Sequence, residues 1–190
     1  MKEIQEQRMR RYFIDACKTL IRGEGVQSVS ARTVAEEAGY SYATLYNYFK
    51  DMKDLIAICV DEFIDETKQF VIDRKIETKG EDAVIKKSKA IAMFFLQYPG
   101  IFQAVFTENI RELRTPVSFK EKLDNMFAEI LDAHFAEINE EYASNNNRKE
   151  LLKLSIYSML LLYLNRRCPS EYKVFIEYFD NTINYVVKKA

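Results

Sequence analysis

The stretch Ala35–Lys50, AEEAGYSYATLYNYFK, carries one glycine and four tyrosines. Ser30 stands ahead of it, before ARTVAEEA, and offers a hydroxyl to an otherwise unpaired first-turn amide. Val34, Ala35 and Ala38 fall on one helical face, with Glu36 and Glu37 on the other. Gly39 follows, where glycine alone takes the left-handed conformation without steric cost, so the helix ends and reverses. Ser41 is a second cap, and a short helix is predicted over 42–49. On a wheel of 3.6 residues per turn, Leu45 and Phe49 share a face with Tyr42 beside them. Ala43, Thr44, Asn47 and Tyr48 share the opposite face, and Tyr46 lies on the border. Leu45 and Phe49 therefore anchor an element that presents small, hydroxyl and amide groups outward.

Two short helices joined by a tight glycine turn form a helix-turn-helix. Its outward groups suit DNA, because Thr, Tyr and Asn side chains and helix N-terminal amides bond phosphate oxygens. Thr44 has a methyl for a thymine, and Asn47 matches an adenine edge. Tyr46 and Tyr48 combine a ring that packs with a hydroxyl that reaches the backbone. The competing reading is a surface helix whose tyrosines are half-buried in a local core.

The segment SARTVAEEAGYSYATLYNYFKDMKDL, Ser30–Leu55, resembles the DNA-binding region of TetR/AcrR-type transcriptional regulators. The residues that carry the resemblance are Ser30, Val34-Ala35, Ala38-Gly39, Ser41 and Leu45-Tyr46-Asn47-Tyr48-Phe49. It extends over residues 8 to about 60. The DNA-contacting set is then Arg32 and Thr33, followed by Ser41, Tyr42, Ala43, Thr44, Tyr46, Asn47 and Tyr48. The pattern departs from the family where a proline usually follows the phenylalanine and a lysine comes two residues later. Lys50 takes the proline position and Met52 the lysine position, so Lys50 or Lys53 would supply that phosphate contact. Asp51 is placed to cap the next helix. The resemblance also implies phosphate contacts near the cluster Arg8, Arg10 and Arg11, whose alternative is a solvated charged face.

Outside this motif, glycine and proline fall where helices should stop: Gly23 and Gly25, Gly80, Pro99 and Gly100, Pro116, and Pro169. Between these breaks the apolar spacing is helical, which predicts nine helices near 3–23, 31–38, 42–49, 52–76, 81–98, 100–109, 116–142, 148–166 and 170–188. The fold expectation is all-α. A three-helix helix-turn-helix head over residues 1–53 precedes a helical ligand-binding and dimerisation domain over residues 54–190.

One helix-turn-helix makes few contacts, whereas two copies on a two-fold axis read half-sites about 34–36 Å apart or a multiple of this. The helices near 148–166 and 170–188 are apolar beyond the needs of one neighbour and are the candidate dimer surface. Its candidate residues are Leu151, Leu154, Ser158 and Leu162, with Phe175, Phe179, Ile183 and Val186. The resemblance implies a four-helix bundle made by these helices and their copies; otherwise they close the core of one chain. The resemblance also implies a ligand cavity among the middle helices. Its candidate lining is Phe63, Met93, Phe94, Tyr98 and Phe102, with Phe106, Met126, Phe127 and Tyr157, although such stripes also make plain core.

Composition sets the outer bounds. The net charge is −1, which argues against a generic polyanion binder. Residues 1–53 hold nine Lys and Arg against seven Asp and Glu, and the remainder nineteen against twenty-two. No apolar run of about twenty residues is present to span a membrane, and the N-terminus is too polar for a signal peptide. Cys17, Cys59 and Cys168 lack metal-ligand or redox spacing, so they read as small buried apolar residues of a cytoplasmic protein. His134 is the sole histidine and has no second ligand nearby in sequence. No nucleophile, phosphate-loop or dinucleotide motif appears, so neither an enzyme nor a cofactor or metal is expected. The function expected is a DNA-binding regulator: a homodimer on operator DNA, a repressor released by a small apolar or aromatic effector. The alternative is an all-helical ligand-binding or protein-interaction dimer without DNA binding.

Overall fold

Every regular element is helical among the residues that the computed structural model describes, namely 2–106, 116–139, 144–166 and 168–188. Nine α-helices succeed one another among them: α1 Lys2–Glu24, α2 Ala31–Ala38, α3 Tyr42–Leu45, α4 Met52–Asp73, α5 Gly80–Gln97, α6 Pro99–Phe106, α7 Pro116–Ile138, α8 Asn146–Leu164 and α9 Tyr172–Lys188. A 3₁₀ turn, Val26–Ser28, separates α1 from α2. The all-α expectation holds, with one clear correction. The helix expected over 42–49 stops after a single turn at Leu45. The amides of Asn47 and Tyr48 bond the carbonyls three residues back, Thr44 and Leu45, which tightens the chain into a turn. The expected helix ends at 107–109 and 140–142 lie outside the described residues.

The chain divides into two units, Met1–Asp65 with Tyr98–Lys122, and Glu66–Gln97 with Leu123–Ala190. In the first, four-residue spacing puts Phe13, Cys17 and Ile21 of α1 on one buried stripe, and Leu55, Cys59 and Phe63 of α4 on another. Val34 and Ala35 of α2, and Leu45 and Phe49 after it, bury against the same core. Each large side chain so buried contributes about 1.5–3 kcal/mol. Cys59 and Cys17 are inert core thiols as expected; their mutual hydrogen bond and then burial push the Cys59 thiol far up. Cys168 departs from the expectation and is exposed, because it falls between α8 and α9. Lys122 of α7 pairs with Asp61 and Asp65 of α4 at 2.7 and 2.9 Å.

In the second unit α5, α8 and α9 pack on one another. Phe175, Phe179 and Ile183 of α9 meet Leu152, Ile156 and Leu160 of α8 in a core that also holds Ile91 and Phe95 of α5. Tyr163 stacks on Phe175 with ring centroids 4.3 Å apart. Lys153, nearly buried, is held by Asp124 and Glu150. His134 lies 2.8 Å from Glu137, whose carboxylate also accepts the Gly80 amide.

Two glycines position the head for different reasons. Gly39 has φ +77° and ψ 26°, the left-handed cap expected of it. Gly100 lies where α6 crosses α1, and a Cβ there would stand 2.0 Å from the Ile21 carbonyl oxygen. Gly39→Ala is expected to cost about 1–2 kcal/mol, the left-handed penalty alone. Gly100→Ala is expected to cost about 3 kcal/mol or more through forced separation of the helices. Urea unfolding of the two variants checks the order; equal losses would contradict the close crossing.

Candidate nucleic-acid interface

The motif is fastened by side-chain caps at every turn. The Ser30 hydroxyl accepts the Thr33 amide, and the Thr33 hydroxyl accepts the Ser30 amide at 2.9 Å, a reciprocal capping box. At the far end of α2 the Tyr40 amide donates to the Ala35 carbonyl across Gly39, and the chain reverses. The Ser41 hydroxyl accepts the Thr44 amide at 3.2 Å and opens α3. Asp51 then caps α4 through the Asp54 amide at 2.8 Å, as expected.

These caps leave α3 and its following turn with two unlike sides. Leu45 and Phe49 are 0% and 2% exposed, whereas Tyr42 and Tyr46 are 63% and 49% exposed. Ser41, Ala43, Asn47 and Lys50 are exposed, and Thr44 and Tyr48 are half-buried. Tyr42 therefore points outward rather than joining the anchors. Tyr48 rests its ring 6.1 Å from that of Phe13. The Thr33 hydroxyl donates to the Ser28 carbonyl at 2.9 Å besides accepting from Ser30, so it caps α2. Lys50 and Lys53 are exposed on either side of Asp51, and Met52 between them is half-buried.

The basic side chains are largely engaged. Arg32 is exposed but bonded to Glu36 at 2.8 Å; that hydrogen bond, then the nearby charge, holds its guanidinium above its ordinary value. Arg11 binds Asp15 and Glu62, and Lys18 binds Glu62 at 2.6 Å. Burial alone would raise the Glu62 carboxyl, but the bonds from Arg11 and Lys18 outweigh it and hold it below the ordinary range. Arg10 donates to the Tyr48 carbonyl, and Arg8 is exposed. Tyr12 and Tyr40 are two further exposed rings beside the motif, 6.1 Å apart, and neither is among the expected contact residues. The signal available for Tyr40 was its place directly after the helix-ending glycine.

The residues expected to line a pocket fall in both units. Phe63 and Phe102 are fully buried in the first, where the Arg22 guanidinium lies 5.8 Å from the Phe63 ring and 5.3 Å from the Tyr98 ring. Phe106 packs on Phe102 at 4.8 Å. In the second, Phe94 packs edge-on against Phe70 and Phe95, and Met93 is half-buried beside the Tyr172 hydroxyl. Met126 is buried. Phe127 meets Tyr157 at 5.3 Å, where burial pushes the tyrosine hydroxyl well up. Phe127 also lines a cleft of about 290 Å³ between α7 and α8, with Leu131 and Phe135 and a rim that includes Lys149 and Lys153.

The residues expected at a dimer surface separate cleanly. Leu151 and Leu154 are 53% and 58% exposed, and Ser158 and Leu162 are exposed with them. Phe175, Phe179, Ile183 and Val186 are buried within the unit, which corrects their assignment. They form the stripe by which α9 covers α8 and α5. The exposed rings of α9 are Tyr172, Tyr178 and Tyr185.

Residues 13–58, the span from Phe13 through the motif into α4, match the sequence model of bacterial regulatory proteins of the tetR family. Over this stretch the chain is similar to that family. No curated protein matches it. Among solved structures it resembles a TetR family transcription regulator from Marinobacter aquaeolei VT8, at 18% identity and TM-score 0.67, covering 98% of both chains. It also resembles FadR from Bacillus subtilis in complex with stearoyl-CoA, at 14% identity and TM-score 0.65, covering 95% of this chain and 98% of that one. A third is Thermus thermophilus FadR, a TetR family transcriptional repressor, in complex with lauroyl-CoA. It has 17% identity and TM-score 0.63, covering 93% and 92%. At these identities the likeness is one of fold.

The head thus presents Arg32 already neutralised by its own helix. Glu36→Gln is expected to free it for phosphate. The log–log salt slope of duplex binding should steepen by up to about one. Stability should move by less than about 0.5 kcal/mol. Anisotropy titrations over a range of salt concentrations check this, and an unchanged slope would place Arg32 away from the duplex.

Proposed function

We propose that this chain is a homodimeric, sequence-specific transcriptional repressor acting in the cytoplasm. On this reading it leaves its operator when a small effector with an apolar body binds the C-terminal helices. The observation that carries it is the two-sided recognition element. Tyr42, Ala43, Tyr46 and Asn47 face solvent while Leu45 and Phe49 are buried, on a turn fixed by the Ser41 and Gly39 caps. Residues 1–53 would be the DNA-reading part and residues 54–190 the part that takes ligand and a second copy. The exposed leucines of α8 and tyrosines of α9 support a self-complementary apolar face, as a two-fold dimer requires. The acyl-CoA complexes of the two FadR proteins support an effector with a long apolar chain. Nothing in this reading asks for catalysis.

A second reading, a helical ligand-binding or protein-interaction dimer without DNA binding, draws on Met52 at the family's lysine position and on the neutralised Arg32 and Arg11. Selection of bound duplexes from a random pool separates the two. The first expects an enriched palindrome whose affinity falls steeply with salt. Asn47→Ala is expected to lower affinity for that site about tenfold or more and to relax one base position. Leu154→Glu is expected to give monomers by sedimentation. An unenriched pool would favour the second reading.

A further inference from the structure

The recognition element is too short to fix its own direction. Helical bonding ends at Leu45, and beyond it the Tyr48 and Phe49 amides both return to the Leu45 carbonyl, at 2.9 and 3.1 Å. A backbone carbonyl in the turn beyond a helix end has no intrahelical donor and takes one from elsewhere. One donor comes from α1: the Arg10 guanidinium bonds the Tyr48 carbonyl and lies 4.5 Å from the centroid of the Phe49 ring. Phe13, three residues on and on the same face of α1, packs against the same two residues, 6.1 Å from Tyr48 and 6.3 Å from Phe49. Arg10 differs from its neighbour here. Arg11 is held by carboxylates, whereas among the described residues Arg10 has no carboxylate partner. Arg10 also lies upstream of the residues that match the family's sequence model, which begin at Phe13.

We propose that Arg10 is a positioning residue: a tie from α1 to the turn after α3 that fixes the angle at which Thr44, Tyr46 and Asn47 meet the duplex. The proposal rests on the reading of this element as the DNA-contacting one. A guanidinium suits the task because it donates in its plane while its face stacks on an aromatic ring. The competing role for an arginine here is a direct phosphate contact, and the two differ in what they do to salt dependence.

The test uses the full chain with Arg10→Met, and with Arg10→Gln as the milder loss should the first fail to fold. In the free protein, exchange of the Tyr48 and Phe49 amides is expected to quicken about tenfold in Arg10→Met, as one charge-assisted bond is lost. It should quicken several-fold in Arg10→Gln, with the Cys59 amide of α4 as an unchanged reference. On the duplex selected by the natural chain, affinity should fall about tenfold with a salt slope parallel to the original. Unchanged exchange, or a slope shallower by about one, overturns the proposal. A natural chain that selects no duplex overturns the DNA reading and this proposal together. Normal selection with unchanged exchange in the variants overturns this proposal alone.

Discussion

A single helical turn cannot hold itself against water, so the head of this protein depends on the burial of Leu45 and Phe49. Everything exposed on that turn takes its direction from these two anchors. They in turn depend on a core whose spacing is set by α1: Phe13 touches Tyr40, Tyr48 and Phe49, and so joins the reversal after α2 to the end of the recognition element. The crossing of α6 over α1 at Gly100 backs the same helix from another side. Small and aromatic residues thus alternate by position: glycine where backbones touch, rings where distance must be filled.

Local chemistry made much of this legible in the sequence. Ser30, Gly39, Ser41 and Asp51 act through bonds to residues three or four positions away, so their roles follow from spacing alone. Helix breaks followed from the scarce glycines and prolines for the same reason. The end of α3 at Leu45 was not legible, because Phe49 continues the helical spacing of Leu45 and only the competition between three- and four-residue bonds decides. The inner face of α9 was not legible either. Phe175, Phe179, Ile183 and Val186 form the stronger stripe, and a strong stripe is claimed by the chain's own core before a partner can use it. Long-range pairings such as Arg11 with Glu62 leave no trace in periodicity.

Charge in the head is arranged with restraint. Glu36 holds Arg32, Asp15 and Glu62 hold Arg11, and Glu62 also holds Lys18. Of these, the exposed pairs Arg32 with Glu36 and Arg11 with Asp15 contribute little to stability, a few tenths of a kcal/mol each, so their effect lies elsewhere. A cation already paired gains less from a phosphate, which lowers indiscriminate attraction to any duplex. On the proposed reading, discrimination would then depend on groups without charge, the hydroxyls, the amide and the rings of Tyr42 to Tyr48, which act only at close range and only when well aimed.

That arrangement explains why assembly matters to the proposed reading. Weak electrostatic attraction and a one-turn reading element leave a single head with few contacts, and doubling the heads multiplies them at fixed spacing. The second copy needs a surface that is apolar yet not already used. On α8 the leucines at 151, 154, 161 and 162 remain exposed because Leu152, Ile156 and Leu160 already satisfy the core on the other side. On α9 tyrosines rather than leucines occupy the outer face, and a tyrosine joins a hydroxyl to a ring that can pack. A helix pair that is apolar on both sides is costly to expose, and on the proposed reading its outer side is the face kept for another copy of the same chain.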